Sequence, residues 1–274
     1  MGEAVTYLTK PSLEAVEEAA EFEHVAVTLR VLVAEDDAPT RIFLRSQLTA
    51  LGHQVVCTAN GEEALAAFRK TSFDALITDC RMSRLSGLEL AKILREEEQP
   101  CPPGTELTII GLTASNNEAD LRAAVKAGMN ACLVKPISAT SLHTLLSRHL
   151  CTSGTLGDID GDAGKEGNWL GNLSPQAKRD FFEAWKRSNI ADQSALESAA
   201  TANDVMHIRH IAHKLRGPAR LAGCAEVEAA AGHLEALCVA PRPVIPLIRR
   251  KAIWLALSLN EVNRRINVIL AREI

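Results

Sequence analysis

From Leu29 to about Leu150, short β-branched apolar runs alternate with segments whose apolar residues recur every three or four positions. Runs such as Val31-Leu32-Val33-Ala34 and Ala75-Leu76-Ile77 are apolar at consecutive positions, the pattern of strands buried on both faces. Five such units are read, with strands at about 30–34, 54–58, 74–78, 107–112 and 131–134 and helices at about 38–51, 61–71, 87–98, 116–127 and 138–149. The alternation predicts a parallel sheet with helices on both faces. Gly52 follows the first helix where a left-handed cap is expected, and Asn60 precedes Gly61-Glu62-Glu63 as an N-cap.

The pattern then changes. Residues 152–171 hold six glycines in twenty positions, which predicts a flexible linker over 151–173. A coil of that length has an rms span of about 25 Å, enough to let a second domain dock on the first without fixing it there. After Ser174-Pro175, a cap with proline at the first helical position, the sequence reads as helix except for breaks near Asn203, Gly223 and Ala240-Pro241. Four helices at about 175–201, 204–220, 225–238 and 243–272 predict a small bundle over 174–274. Its expected apolar stripes include Phe181, Trp185, Ile190 and Leu196 in the first helix and Ile253, Leu257, Val262, Ile266 and Ile269 in the last. The expected fold is thus an α/β domain over 29–150 plus an all-α domain, preceded by an acidic extension, 1–28, of unassigned role.

Composition narrows the function classes. No apolar stretch reaches the ~18–20 residues that span a bilayer, and the N-terminal thirty residues carry six Glu against Lys10 and Arg30, so neither a membrane segment nor a secretory signal is read. A cytoplasmic protein is expected. Seven scattered cysteines (Cys57, Cys80, Cys101, Cys132, Cys151, Cys224, Cys238) without a Cys-x-x-Cys pair read as reduced, mainly buried thiols. The net charge of −4 divides into 24 acidic and 15 basic side chains over residues 1–171 against 10 and 15 over 172–274. The basic residues of the second part are dispersed and no helix-turn-helix is read, so nucleic acid is not an expected partner.

The candidate chemistry lies at strand ends. Glu35 and Asp36 follow the first strand, Asp79 closes the third, Thr113 the fourth, and Lys135 follows the fifth. In a parallel sheet these positions share the C-terminal rim, where ligands bind. Three clustered carboxylates require neutralisation, and hard oxygen ligands suit Mg²⁺ completed by phosphate oxygens. Lys135 would pair with a phosphate and the Thr113 hydroxyl would donate to it, with Asp79 the best nucleophile for an acyl phosphate. The alternating Asp158, Asp160 and Asp162 lack the Glu a calcium loop needs at its twelfth position.

A second candidate is His213, in Ala212-His213-Lys214-Leu215-Arg216-Gly217. Arg216 lies one turn later, placed to pair with a phosphate on the imidazole, and Gly217 removes a side chain that would crowd the ring. A neutral imidazole is a competent nucleophile toward phosphorus. His207 and His213 lie ~120° apart around the axis, so no metal site with His210 is expected.

These residues carry two resemblances. Val31 to Asp37, Thr78-Asp79-Cys80-Arg81-Met82 with Gly87, Gly111-Leu112-Thr113-Ala114 and Lys135-Pro136 are similar to the receiver domain of two-component response regulators, across about residues 29–150. The resemblance implies a (βα)₅ flavodoxin-like fold in which Asp79 is the phosphoacceptor and Mg²⁺ is held by Asp36, by Asp79, by the backbone carbonyl of Arg81 and, through water, by Glu35. It further implies that Lys135 and Thr113 hold the phosphoryl oxygens and that a cis bond precedes Pro136. Three positions depart from that pattern: Cys132 stands where an aromatic switch residue is usual, Ser83 where proline is common, and Glu35 where Asp is frequent. The stretch around His213, with Leu221-Ala222-Gly223-Cys224 and Leu234-Glu235-Ala236-Leu237, resembles the histidine-containing phosphotransfer (HPt) domain, a four-helix bundle with His213 as phosphoacceptor. There Arg216 replaces a more usual Lys, and Pro218 replaces a small hydroxyl residue, so a bend just after the site is expected.

A receiver followed by an HPt domain resembles the last two modules of BvgS-like unorthodox hybrid sensor kinases. No glycine-rich ATP lid and no second phosphoacceptor-histidine box are read, so the chain is expected not to autophosphorylate, and to be either a stand-alone relay protein or a fragment of a hybrid kinase. The resemblance implies a phosphoryl group passing from an upstream sensor histidine kinase to Asp79, to His213 and to the receiver of a downstream response regulator. The alternatives are a phosphate sink or phosphatase, and a non-catalytic regulator.

Overall fold

A computed structural model describes residues 28–98, 106–114, 118–151 and 169–272, with side chains for all but 147–151. The acidic extension, most of the glycine-rich linker, Cys101 and the side chain of Cys151 lie outside the described residues. Five strands, β1 (Arg30–Ala34), β2 (Gln54–Thr58), β3 (Ala75–Asp79), β4 (Thr108–Thr113) and β5 (Ala131–Val134), form one parallel sheet in the order β2-β1-β3-β4-β5. Between them run α1 (Ala38–Ala50), α2 (Gly61–Phe68), α3 (Gly87–Glu97) and α4 (Glu118–Lys126), with α5 (Ala139–Cys151) after β5.

The pleat sends alternate residues to opposite faces. Val31, Val33, Ala75 and Ile77 pack with Leu44 and Leu48 of α1 and Leu142 and Leu145 of α5. Leu32, Ala34 and Leu76 pack instead with Ala64 of α2, Leu90 and Leu94 of α3 and Ala124 of α4. The central strands β1, β3 and β4 are covered on both faces, which is why they carry consecutive apolar residues, whereas the edge strand β2 alternates exposed and half-buried positions. The expected caps are present: Gly52 has φ +88° and the Asn60 side chain accepts from the Glu63 N–H.

Four helices follow: α6 (Pro175–Ala202), α7 (Val205–Leu221), α8 (Ala225–Cys238) and α9 (Ile245–Arg272). They share a core that includes Phe181, Phe182 and Trp185, the two phenylalanine rings meeting edge to face at 5.5 Å. Leu170 and Leu173 are buried in that core, so the bundle begins before residue 174, inside what reads as linker. Two expected stripes are corrected. In α6, Ile190 is exposed, and the buried face runs through Trp185, Asn189, Asp192 and Leu196. The Asn189 amide donates to Asn263 Oδ1 at 3.1 Å and Asp192 accepts from Lys214 at 2.8 Å, so polar pairs occupy positions that an apolar count passes over. In α9, Val262 and Ile266 are buried as expected, but Ile253 and Leu257 face outward, and the buried stripe ahead of Val262 runs through Ala252, Leu255, Ala256 and Leu259.

Asn203, at φ +53°, ends α6, and α7 runs on through Pro218 to Leu221. Cys57, Cys80, Cys132, Cys224 and Cys238 are free thiols, with only Cys80 and Cys238 fully buried. Among the described residues no helix is long and apolar enough to cross a membrane.

Candidate functional site

Strand direction brings Glu35, Asp36, Asp79, Thr113 and Lys135 to one rim of the sheet. Oxygens of Glu35, Asp36 and Asp79 lie within 4.8 Å of one another. The Lys135 ammonium donates to Glu35 Oε2 and to Asp79 Oδ2, each at 2.6 Å. One ammonium faces three carboxylates, and burial with the adjacent Asp79 charge pushes the Glu35 carboxyl up to about 8 although Lys135 pulls it down. Burial disfavours the Lys135 charge, but Asp79 and Glu35 outweigh it and hold the ammonium above its ordinary value. An all-oxygen cluster with excess negative charge has the chemistry that a hard divalent cation neutralises.

The backbone adds donors. The Arg81 N–H donates to Asp79 Oδ1 at 2.9 Å, and the Ser83 N–H donates to Asp36 Oδ2 at 3.4 Å, a contact that proline at 83 would forbid. A Cβ at Gly87 would lie 2.1 Å from the Asp79 carbonyl oxygen, so only glycine lets α3 start this close to the end of β3. Thr113 is buried at the end of β4, and its carbonyl accepts from the Lys135 N–H at 2.7 Å. The Lys135-Pro136 bond is cis, as expected. Cys132 is half-buried on β5 with its sulfur 3.9 Å from that of Cys80.

On the bundle, His213 Nδ1 lies 3.0 Å from Glu235 Oε1 of α8, and Arg216 Nη1 donates to Glu235 Oε2 at 2.9 Å. Burial opposes the Glu235 charge, yet the bonds from His213 and Arg216 hold its carboxyl down at about 2. Sequence reasoning did not assign Glu235 a role. The available signal was an acid on a face of α8 otherwise lined by Val227, Ala231 and Leu234, which point to the core. Arg216 stands beside His213 as expected, tied through this carboxylate, while its Nε is buried without a hydrogen-bond partner among the described residues. His207 and His210 are exposed and join no metal-binding group among the described residues.

The two sets of residues face each other. Glu35, Asp36, Asp79 and Lys135 line one cleft with His210, His213, Lys214, Arg216 and Gly217. Phe43 of α1 is 1% exposed and packs within the bundle core, with Ile42 beside it. A Cβ at Gly217 would sit 3.2 Å from Thr40 Oγ1, a hydroxyl already committed to Asp37 Oδ2 at 2.7 Å. Gly217 therefore clears space for α1 of the first domain, a reason beyond access to the imidazole. Arg81 and Glu235 approach to 3.8 Å across the boundary. The expectation of a tethered bundle without a fixed seat gives way to a docked one, because Phe43 completes an apolar core that the bundle alone leaves open.

Residues 31–147 match the family model of the response regulator receiver domain, and residues 180–257 match that of the Hpt domain. The chain joins a receiver domain to an Hpt domain. Receiver and Hpt domain together are similar to the virulence sensor protein BvgS of Bordetella pertussis, 32% identical over 212 residues that cover 71% of this chain and 17% of BvgS. The sensory/regulatory protein RpfC of Xanthomonas campestris pv. campestris is 30% identical over 222 residues, covering 76% of this chain and 30% of RpfC. The chain thus spans less than a third of either relative. Among solved structures, the receiver domain of a Pseudomonas aeruginosa sensor histidine kinase, with magnesium coordinated in its active site cleft, is 28% identical, with a TM-score of 0.42 over 46% of this chain and 100% of that one.

Proposed function

We propose that the chain is an intermediate in a multistep phosphorelay. The phosphoryl group passes from a phosphohistidine of a sensor kinase to Asp79, then to His213, then to the aspartate of a separate response regulator. The observation that carries this reading is the single cleft lined by both Asp79 and His213.

An Asp79 carboxylate oxygen attacks phosphorus as the donor's N–P bond breaks, giving an acyl phosphate and a free imidazole. Lys135, already 2.6 Å from Asp79, and the Thr113 hydroxyl are the groups for the phosphoryl oxygens. Glu35, Asp36, Asp79 and the Arg81 carbonyl would hold Mg²⁺, whose charge supports the phosphoryl group in transfer. In the second step the Nε2 lone pair of His213 forms the N–P bond while the acyl P–O bond breaks and the Asp79 carboxylate is restored. Glu235 keeps the proton on Nδ1 and stabilises the positive charge that develops on the ring. The Arg216 guanidinium, which lines the same cleft, is the cation for a phosphoryl oxygen on the imidazole.

A sink or a non-catalytic regulator would need only Asp79. An imidazole that lines the same cleft and is oriented by the partly buried Glu235 carboxylate favours the relay. We place this chemistry in the cytoplasm, where the free thiols stay reduced. The test is to load the purified chain with a labelled small acyl phosphate and Mg²⁺ and follow the label by chemical stability. The relay predicts an alkali-labile acyl phosphate followed by an alkali-stable, acid-labile phosphohistidine. Label that stays alkali-labile until it is hydrolysed contradicts it.

A further inference from the structure

Arg220 lies two turns beyond His213 on the same face of α7. Its Nη1 donates to the backbone carbonyl of Lys135 at 2.8 Å, and its Nε pairs with Glu228 of α8. Lys135 is therefore gripped from two sides. Its ammonium enters the acidic cluster and its carbonyl is held by the Hpt domain. The transfer chemistry itself gives Arg220 no task.

We propose that Arg220 is a docking residue for transfer within one chain: it fixes α7 on the Lys135-Pro136 turn, so that His213 is carried to the place where Asp79 presents its phosphoryl group. This rests on the relay reading. Of the other contacts across the boundary, Arg81 and Glu235 approach only to 3.8 Å, beyond hydrogen-bond distance. Phe43 in the bundle core and Gly217 against Thr40 set how closely the domains approach, but apolar and van der Waals contacts are non-directional. A charge-assisted hydrogen bond to a carbonyl has direction and fixes register along the helix. Glu228 orients the guanidinium beforehand, which lowers the ordering cost of docking. Because Lys135 also holds Asp79, the bond registers the Hpt helix against the same residue that positions the acceptor.

The experiment compares the full chain with Arg220→Ala, Arg220→Lys and Glu228→Gln, loading Asp79 from a small acyl phosphate with Mg²⁺ and timing the arrival of label on His213 by rapid quench. Loading of Asp79 is expected to stay at the wild-type value, and the thermal transition to fall by a few degrees at most. Movement of label to His213 should slow about 10- to 100-fold in Arg220→Ala, the loss of one charge-assisted hydrogen bond. Arg220→Lys should recover part of the rate, and Glu228→Gln should lose a few-fold, as expected for a group that acts through the arginine. The wild-type rate should not depend on protein concentration. A wild-type chain that never labels His213 refutes the relay itself. Wild-type transfer with unchanged rates in the variants overturns the role of Arg220, and Arg220→Lys with Glu228→Gln decide the question should Arg220→Ala not fold.

Discussion

Glu235 Oε1 lies 3.0 Å from His213 Nδ1, and the same carboxylate takes the Arg216 guanidinium at 2.9 Å. A carboxylate in that place makes Nδ1 the protonated nitrogen and leaves Nε2 as the nucleophile. Glu235→Gln keeps the shape and removes the charge. It should slow transfer from Asp79 to His213 by about tenfold or more, the value of a hydrogen bond to a charged group, with loading of Asp79 unchanged in a rapid-quench time course.

The same carboxylate makes the bundle sensitive to acid. Its folded pKa of about 2 lies below the ordinary 4.5, so its stabilisation is complete above about pH 4.5 and is lost as pH falls through 2. Urea denaturation should show wild type losing on the order of 2 kcal/mol more than Glu235→Gln between pH 5 and pH 2. Parallel losses in the two proteins would contradict the assignment.

Lys135 and Asp79 should respond oppositely to neutralisation. Lys135→Met leaves the buried Glu35 and Asp79 without their ammonium and is expected to cost about 3 kcal/mol in the absence of divalent cation. Added Mg²⁺ should recover part of that loss by supplying positive charge. Asp79→Asn removes one of three crowded carboxylates and should keep or raise the unfolding midpoint. Urea titrations with and without Mg²⁺ measure all three.

Phe43 belongs by sequence to the receiver and by packing to the bundle. Phe43→Ala should lower the stability of the docked chain by about 3 kcal/mol, within the range for buried phenylalanine. Amide exchange should rise in both α1 and α6, which pack on each other. Faster exchange confined to α1 would mean that the domains do not support each other.

The strands were legible because runs such as Val31-Leu32-Val33-Ala34 are apolar at every position, as a two-faced sheet demands. The rim residues were legible for a topological reason, since parallel strands leave Asp36, Asp79, Thr113 and Lys135 no other place to meet. Glu235 was not, because its partner His213 sits on another helix and their pairing depends on how α7 packs against α8. Asn189 and Asp192 were hidden by their polarity, since their burial is matched by Asn263 and Lys214 from other helices. Docking was equally invisible. Nothing in the spacing of α1 distinguishes Phe43, which leaves its own domain, from Leu44, which stays in it.

The central claim is the order Asp79 and then His213. The most direct measurement is to present wild type, Asp79→Asn and His213→Gln with a phosphorylated sensor kinase domain and separate the label by acid and alkali stability. The account predicts both kinds of label on wild type, only alkali-labile label on His213→Gln, and none on Asp79→Asn. Alkali-stable label on Asp79→Asn, taken directly from the kinase, would contradict it.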